Sequence, residues 1–140
     1  MINQKIFNIK DLDHASKKIF DHIINFKKAI IFITGHMGVG KTTFTNSFLK
    51  NYGSYHANSA SYSIVSKLPG SHNIIHCDFY RYNPTEEFIS LELEPLLGKS
   101  YILLMEWGHP QIMFNNSKHF SLEIILEKES HRNLSFYPLN

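Results

Sequence analysis

At 140 residues, 43% hydrophobic and 19% charged, the chain holds enough apolar side chain for one modest core, which argues against two-domain and repeat architectures. With 14 Lys plus Arg against 12 Asp plus Glu the formal charge is +2, too near neutral for a dedicated nucleic-acid binder. The single cysteine, Cys77, excludes an intramolecular disulfide, and the apolar runs fall far short of the roughly 20 residues that span a bilayer. A reducing cytoplasm fits this composition, and the opening Met1 to Lys5 is not followed by the apolar stretch of a signal peptide.

Lys5 to Ile9 alternates weakly and reads as a short edge strand. Asp13 is then the expected N-cap of a helix that carries Ala15, Ile19, Phe20 and Ile23 inward and ends near Asn25. Ala29 to Ile33 is a continuous β-prone run of the kind buried on both faces of a parallel sheet. Gly35 to Gly40 interrupts it, and a helix follows over Thr42 to Lys50, closed by Tyr52-Gly53 with glycine at C′. Ser54 to Ser63 reads as a polar loop, Tyr62 to Leu68 as a strand ending at Pro69-Gly70, and His72 to Phe79 as another strand. Pro84 to Leu97 carries short helical segments broken at Pro95. Tyr101 to Met105 is a second fully apolar strand that stops at Glu106-Trp107-Gly108. His119 to Glu127 and Asn133 to Leu139 form a C-terminal hairpin.

Gly35-His36-Met37-Gly38-Val39-Gly40-Lys41-Thr42 fits G-x-x-x-x-G-K-[ST] and lies between a strand and a helix, the context in which that pattern cradles phosphates. Glycines let backbone N–H groups wrap the phosphates, and the helix N-terminus adds its positive dipole end. Lys41 would neutralise β- and γ-oxygens, and Thr42 would offer its hydroxyl to Mg²⁺. The expected nucleotide contacts are Gly35, His36, Met37, Gly38, Val39, Gly40, Lys41, Thr42 and the following Thr43.

Mg²⁺ keeps several waters and needs carboxylate support, and the acids at the ends of apolar strands are Asp78 and Glu106. Together with Lys41 they are the expected catalytic residues, with Thr42, Asp78 and Glu106 around the metal; which acid orients the attacking water stays open. Ser61 is the candidate hydroxyl of a γ-phosphate-sensing switch, and Trp107, the only tryptophan, is expected by its place beside Glu106 to lie near the nucleotide or a partner. A zinc site at His72 and His76 is disfavoured because on a strand the two stand about 13 Å apart.

The ordered set of glycine loop, Ser59-Ala60-Ser61-Tyr62-Ser63-Ile64-Val65, His76-Cys77-Asp78-Phe79-Tyr80-Arg81 and Glu106-Trp107 resembles the bacterial TsaE family, also called YjeE, from about Asp11 to Leu139. The HxDxYR segment followed by a strand ending in Glu-Trp carries the resemblance, because the glycine loop is shared by many families. The resemblance implies a small Mg²⁺-dependent ATPase acting on the TsaB and TsaD complex, which makes threonylcarbamoyl-adenosine in tRNA; tRNA itself would be met through that complex. It gives Lys41 and Thr42 the nucleotide and metal roles, makes Ser61 the switch hydroxyl, places Asp78 and Glu106 at the catalytic centre and sets Trp107 beside the nucleotide. His36 stands where the family usually has Asp, Ala60 where it has Pro and Ser61 where it has Thr.

A small P-loop kinase is the alternative reading, although Arg81 and Arg132 are the only arginines available to clamp a migrating phosphate. The same scarcity predicts slow ATP turnover by the isolated chain. A GTPase would need an Asn-Lys-x-Asp that the sequence lacks. Lys17, Lys18, Lys27 and Lys28 form a basic group that could face tRNA, though such charges usually serve solvation. The expected fold is a single α/β domain over residues 1–140, P-loop NTPase-like and three-layered, with a mainly parallel sheet and an antiparallel C-terminal hairpin.

Overall fold

The computed structural model describes residues 1–53, 72–81, 84–108, 116–128 and 131–140, and the backbone of 65–68. Its centre is a sheet in the order β1-β7-β6-β2-β5-β4-β3. The strands are β1 (Ile2–Ile6), β2 (Lys28–Thr34), β3 (Val65–Leu68), β4 (Asn73–Asp78), β5 (Tyr101–Glu106), β6 (Lys118–Glu127) and β7 (His131–Pro138). The parallel pairings β2 with β5, β2 with β6 and β4 with β5 make up the middle. Antiparallel strands complete both flanks, β3 against β4 on one side and β6, β7 and β1 in succession on the other. The α/β, P-loop NTPase-like expectation holds, and the parallel character resides in the centre of the sheet.

Alternation along the strands divides the apolar residues between two layers. Ala29, Ile31 and Ile33 of β2, with Ile102 and Leu104 of β5, meet helices α1 (Ile9–Ile23) and α2 (Lys41–Lys50) on one face. Ile30, Phe32, Leu103 and Met105 turn to the opposite face. There they pack against Ile89, Leu93 and Leu97 from a run of α3 (Glu86–Phe88), a π-helical turn (Ile89–Leu93) and α4 (Glu94–Leu97). Pro95 sits in the first turn of α4. Its missing N–H and its ring, which would clash one turn back, give the preceding turn its wider π form.

The first helix begins earlier than its sequence suggests. Asn8, not Asp13, is its N-cap: the Asn8 side chain accepts from Asp11 N at 3.0 Å, and the Asp11 carboxylate accepts from Phe7 N at 3.0 Å. This reciprocal capping satisfies donors that the helix start would otherwise orphan. It also ends the edge strand at Ile6 rather than Ile9. Asp13, now inside α1, accepts from Ser47 Oγ of α2 at 2.5 Å and ties the two helices together. Phe20 and Phe48 add an edge-on ring contact at 5.3 Å across the same seam.

The remaining boundaries follow the local signals closely. Gly53 N donates to Leu49 O at 3.2 Å and closes α2. Glu106 is the last residue of β5 rather than the first beyond it. The C-terminal hairpin joins β6 and β7, starting from the pair Glu127 and His131. The expected loop over Ser54 to Ser63, the first residues of the Tyr62 to Leu68 strand and the Pro69-Gly70 turn lie outside the described residues. Among the described residues no helix is long and apolar enough to cross a membrane.

Candidate functional site

The loop from Gly35 to Gly40 leaves the carboxyl end of β2 and runs into α2, so the first backbone N–H groups of α2 face the loop. Gly35 has φ +151, and a Cβ there would lie 2.6 Å from Ile124 O and 2.7 Å from Val39 Cγ1. Glycine is therefore required by both conformation and space. Val39 N donates to His36 O at 3.2 Å, and Arg132 of β7 donates from Nε to Val39 O at 2.6 Å, which braces the loop from the side.

Lys41, only 6% exposed, curls back over the loop. Its Nζ donates to Gly35 O at 2.7 Å and to His36 O at 2.8 Å, and lies 4.3 Å from the centre of the Trp107 ring. Burial draws this ammonium below the ordinary lysine pKa, while the Glu106 and Asp78 carboxylates nearby oppose that shift. Trp107 takes a left-handed backbone conformation, φ 59, which is strained for an aromatic residue and directs its ring over the loop. Tyr80 packs against Trp107 with ring centres 5.1 Å apart, and its hydroxyl approaches Met37 Sδ at 3.8 Å.

Strand alternation assembles the acidic side. Glu106 of β5 shares its face with Ile102 and Leu104, and Asp78 and His76 of β4 share theirs with Ile74, all on the α1 and α2 side of the sheet. Asp78 and Glu106 are register partners on adjacent parallel strands. Thr42 donates from Oγ1 to Glu106 Oε1 at 3.2 Å. His76 Nε2 lies 2.7 Å from Glu106 Oε2, with His76 5% and Glu106 1% exposed. Asp78 accepts from Tyr80 N at 3.0 Å, an Asx turn that holds the chain where β4 ends.

Lys41, Thr42, Asp78, Glu106 and Trp107 thus converge at the end of the sheet beside the glycine loop. Thr43 lies on the other flank, facing an open cavity of about 250 Å³ shared with Phe7, Leu12, Val39, Arg132 and Leu134. Ser61 lies outside the described residues. The histidine at 76 carries no weight in the motif reading beyond its place in HxDxYR, yet it is the partner of the buried acid. The signal available for it was its i, i+2 spacing from Asp78, which on a strand guarantees a shared face. His72 lies just before β4, with Nε2 3.1 Å from Phe26 O. Of the lysine group, Lys17 is ion-paired with Asp21 at 2.5 Å on the exposed side of α1.

The Thr42 hydroxyl and the Asp78 and Glu106 carboxylates are hard oxygen donors, the type that Mg²⁺ selects. Among the described residues there is no group of three or more His, Cys, Asp or Glu able to hold an ion by themselves. That donor set suits Mg²⁺, which is usually bound by one or two carboxylates plus substrate phosphates and waters rather than by a protein cage. Cys77, fully buried on the opposite face of β4, has its thiol pKa pushed far up by desolvation. A thiol reagent at neutral pH is therefore expected to leave Cys77 unmodified in the folded protein and to label it on denaturation, as intact mass would show.

Residues 8–134 match the family model described as threonylcarbamoyl adenosine biosynthesis protein TsaE. A TsaE protein of Borreliella burgdorferi is 33% identical over 101 residues, covering 64% of this chain and 72% of that protein. One from Rickettsia bellii is 32% identical over 82 residues, and the match spans 56% of this chain and 56% of that protein, so the chain aligns with about half the length of that relative. The crystal structure of YdiB from Bacillus subtilis superposes with a TM-score of 0.74 at 19% identity, covering 99% of this chain and 86% of that one, which shows a shared fold.

Proposed function

Because the chain belongs to the TsaE family of tRNA threonylcarbamoyl-adenosine biosynthesis proteins, we propose that it binds ATP with Mg²⁺ and hydrolyses it as an accessory to the TsaB and TsaD proteins in the cytoplasm. The observation that carries this reading is the meeting of Thr42 and Glu106: the hydroxyl after the P-loop lysine donates to a buried strand-end carboxylate at 3.2 Å. A hydroxyl that donates its hydrogen bond to a carboxylate keeps its lone pairs free for a cation, the role the P-loop Ser/Thr takes toward Mg²⁺.

The roles then divide among the residues. Backbone N–H groups of the loop and α2 hold the phosphates, and Lys41 exchanges the Gly35 and His36 carbonyls for phosphate oxygens. Thr42, supported by Glu106, would hold Mg²⁺, which when bound would supply neutralisation of the charge that builds on the phosphates. Asp78, fixed by Tyr80 N at the end of the neighbouring strand, orients the attacking water. Trp107 flanks the phosphates, and the cavity beside Thr43 and Arg132 takes the base against its apolar wall. Ser61 serves as the switch hydroxyl. Arg132 is already committed through Nε to Val39 O and Arg81 is exposed, so the isolated chain has little positive charge to add at the transition state.

Slow hydrolysis by the protein alone, and an increase when TsaB and TsaD from the same source are added, is the expected outcome of a steady-state ATPase assay. Fast hydrolysis that the partners leave unchanged would refute partner gating. ATP binding with neither association nor a change in rate would refute the accessory role.

A further inference from the structure

Glu106 is held from two sides. Thr42 donates to one carboxylate oxygen at 3.2 Å, and His76 Nε2 lies 2.7 Å from the other. The acid is 1% exposed and the histidine 5%, so water supplies little of what either needs. A buried carboxylate is tolerated only when its oxygens are hydrogen-bonded, and one left with an open oxygen either swings to find a donor or takes up a proton. Either response would withdraw it from Thr42. His76 reaches Glu106 because it precedes Asp78 by two residues on β4, and the β4–β5 register sets it opposite Leu104, one face-repeat before Glu106.

We propose that His76 is a positioning residue whose Nε2–H donates to Glu106 Oε2, locking the carboxylate in the rotamer whose Oε1 accepts the Thr42 proton, and that it thereby sets the Mg²⁺ affinity of the site. The inference rests on the nucleotide reading above and deepens it. His76 touches neither nucleotide nor metal; it acts through Glu106 and Thr42. Loss of an outer-shell partner of this kind typically costs about 10- to 100-fold in metal affinity or activity. The nucleotide's attachment to the loop and Lys41 does not pass through His76 and is expected to persist without it.

Three substitutions separate the hydrogen bond from simple packing. In His76→Gln the amide nitrogen reaches about where Nε2 stands, in His76→Asn the same group falls one carbon short, and His76→Met keeps the bulk without a donor. Trp107, the only tryptophan and 4.3 Å from Lys41 Nζ, reports occupancy of the loop by its fluorescence. ATP is titrated first in EDTA, then Mg²⁺ is titrated into the ATP-saturated protein, with fluorescence and the rise in Tm as readouts and hydrolysis measured in parallel.

The expected result is one metal-free ATP affinity for all four proteins, to within about twofold. Wild type and His76→Gln should share a Mg²⁺ midpoint, and His76→Asn and His76→Met should need about tenfold more Mg²⁺ and show a lowered kcat at little-changed KM for ATP. Identical Mg²⁺ curves for wild type and either donor-deficient variant that remains folded, or a His76→Gln protein as weak as His76→Asn, would overturn the assignment. A wild-type chain that gives no ATP response at all would overturn the nucleotide reading itself, and the role of His76 with it.

Discussion

Lys41→Ala is expected to reduce ATP hydrolysis by at least about two orders of magnitude, the scale on which a preorganised electrostatic contact acts in a site that excludes water. The substitution removes the ammonium that curls over the loop, where it donates to the Gly35 and His36 carbonyls and sits against Trp107. It leaves untouched the glycines that shape the loop and the Thr42 to Glu106 contact. Circular dichroism should therefore be unchanged while calorimetric ATP binding weakens sharply. A variant that binds and turns over ATP like wild type would remove Lys41 from the site. The wild type adds a pH signature. Because burial lowers the Lys41 pKa, the charge is lost as pH rises at a lower value than for an ordinary lysine, and ATP binding should weaken with it.

The second large effect is on stability. Gly35→Ala is expected to lower stability by about 3 kcal/mol, combining overpacking with a strained φ, and to lower Tm by about 10 °C in a thermal melt. The added Cβ would meet Ile124 O at 2.6 Å, and that carbonyl belongs to β6, which lies between β2 and β7 in the sheet. Retreat by either partner would disturb strand pairings on both sides. Gly38→Ala is the internal control: it has φ +77 but nothing within 4 Å of the added atom, so only the backbone strain of about 1 kcal/mol remains. Equal losses at the two glycines would show that the contact with β6 is not what makes Gly35 necessary.

The two glycines also mark how far a sequence can be read. The motif names both, and only the packing of β6 distinguishes one that is squeezed from one that stands in the open. Asn8 and Asp13 make the same point for helix starts. Both are good caps by residue type, and the choice fell to Asn8 because Asp11 could complete the reciprocal bond there, while Asp13 was taken up by Ser47 of another helix. The Pro95 break was legible as a break; that the turn before it would widen to the π form, and that Ile89, Leu93 and Leu97 would pack on the sheet from it, was not. His76 was visible in the sequence as one of nine histidines; its i, i+2 spacing sets it on the face of Asp78, but nothing local marks the carboxylate 30 residues away that it meets.

The sequence by itself determined the strand, glycine loop and helix unit, the buried runs at β2 and β5, the hairpin at the C-terminus and the family that Residues 8–134 match. Each of these depends on residues a few positions apart, or on motifs whose order survives in the chain, and backbone sterics and side-chain periodicity act at that range. Tertiary structure alone decided that β2 lies between β5 and β6, that Lys41 lies under Trp107, and that Glu106 is shared between Thr42 and His76. Strand alternation is the same whichever strands are neighbours, so the pattern says which face a side chain takes but not what it finds there. The contact between Thr42 and Glu106 spans 64 residues, and it exists because burying the apolar runs of β2 and β5 is most favourable with each strand beside the other at the middle of the sheet.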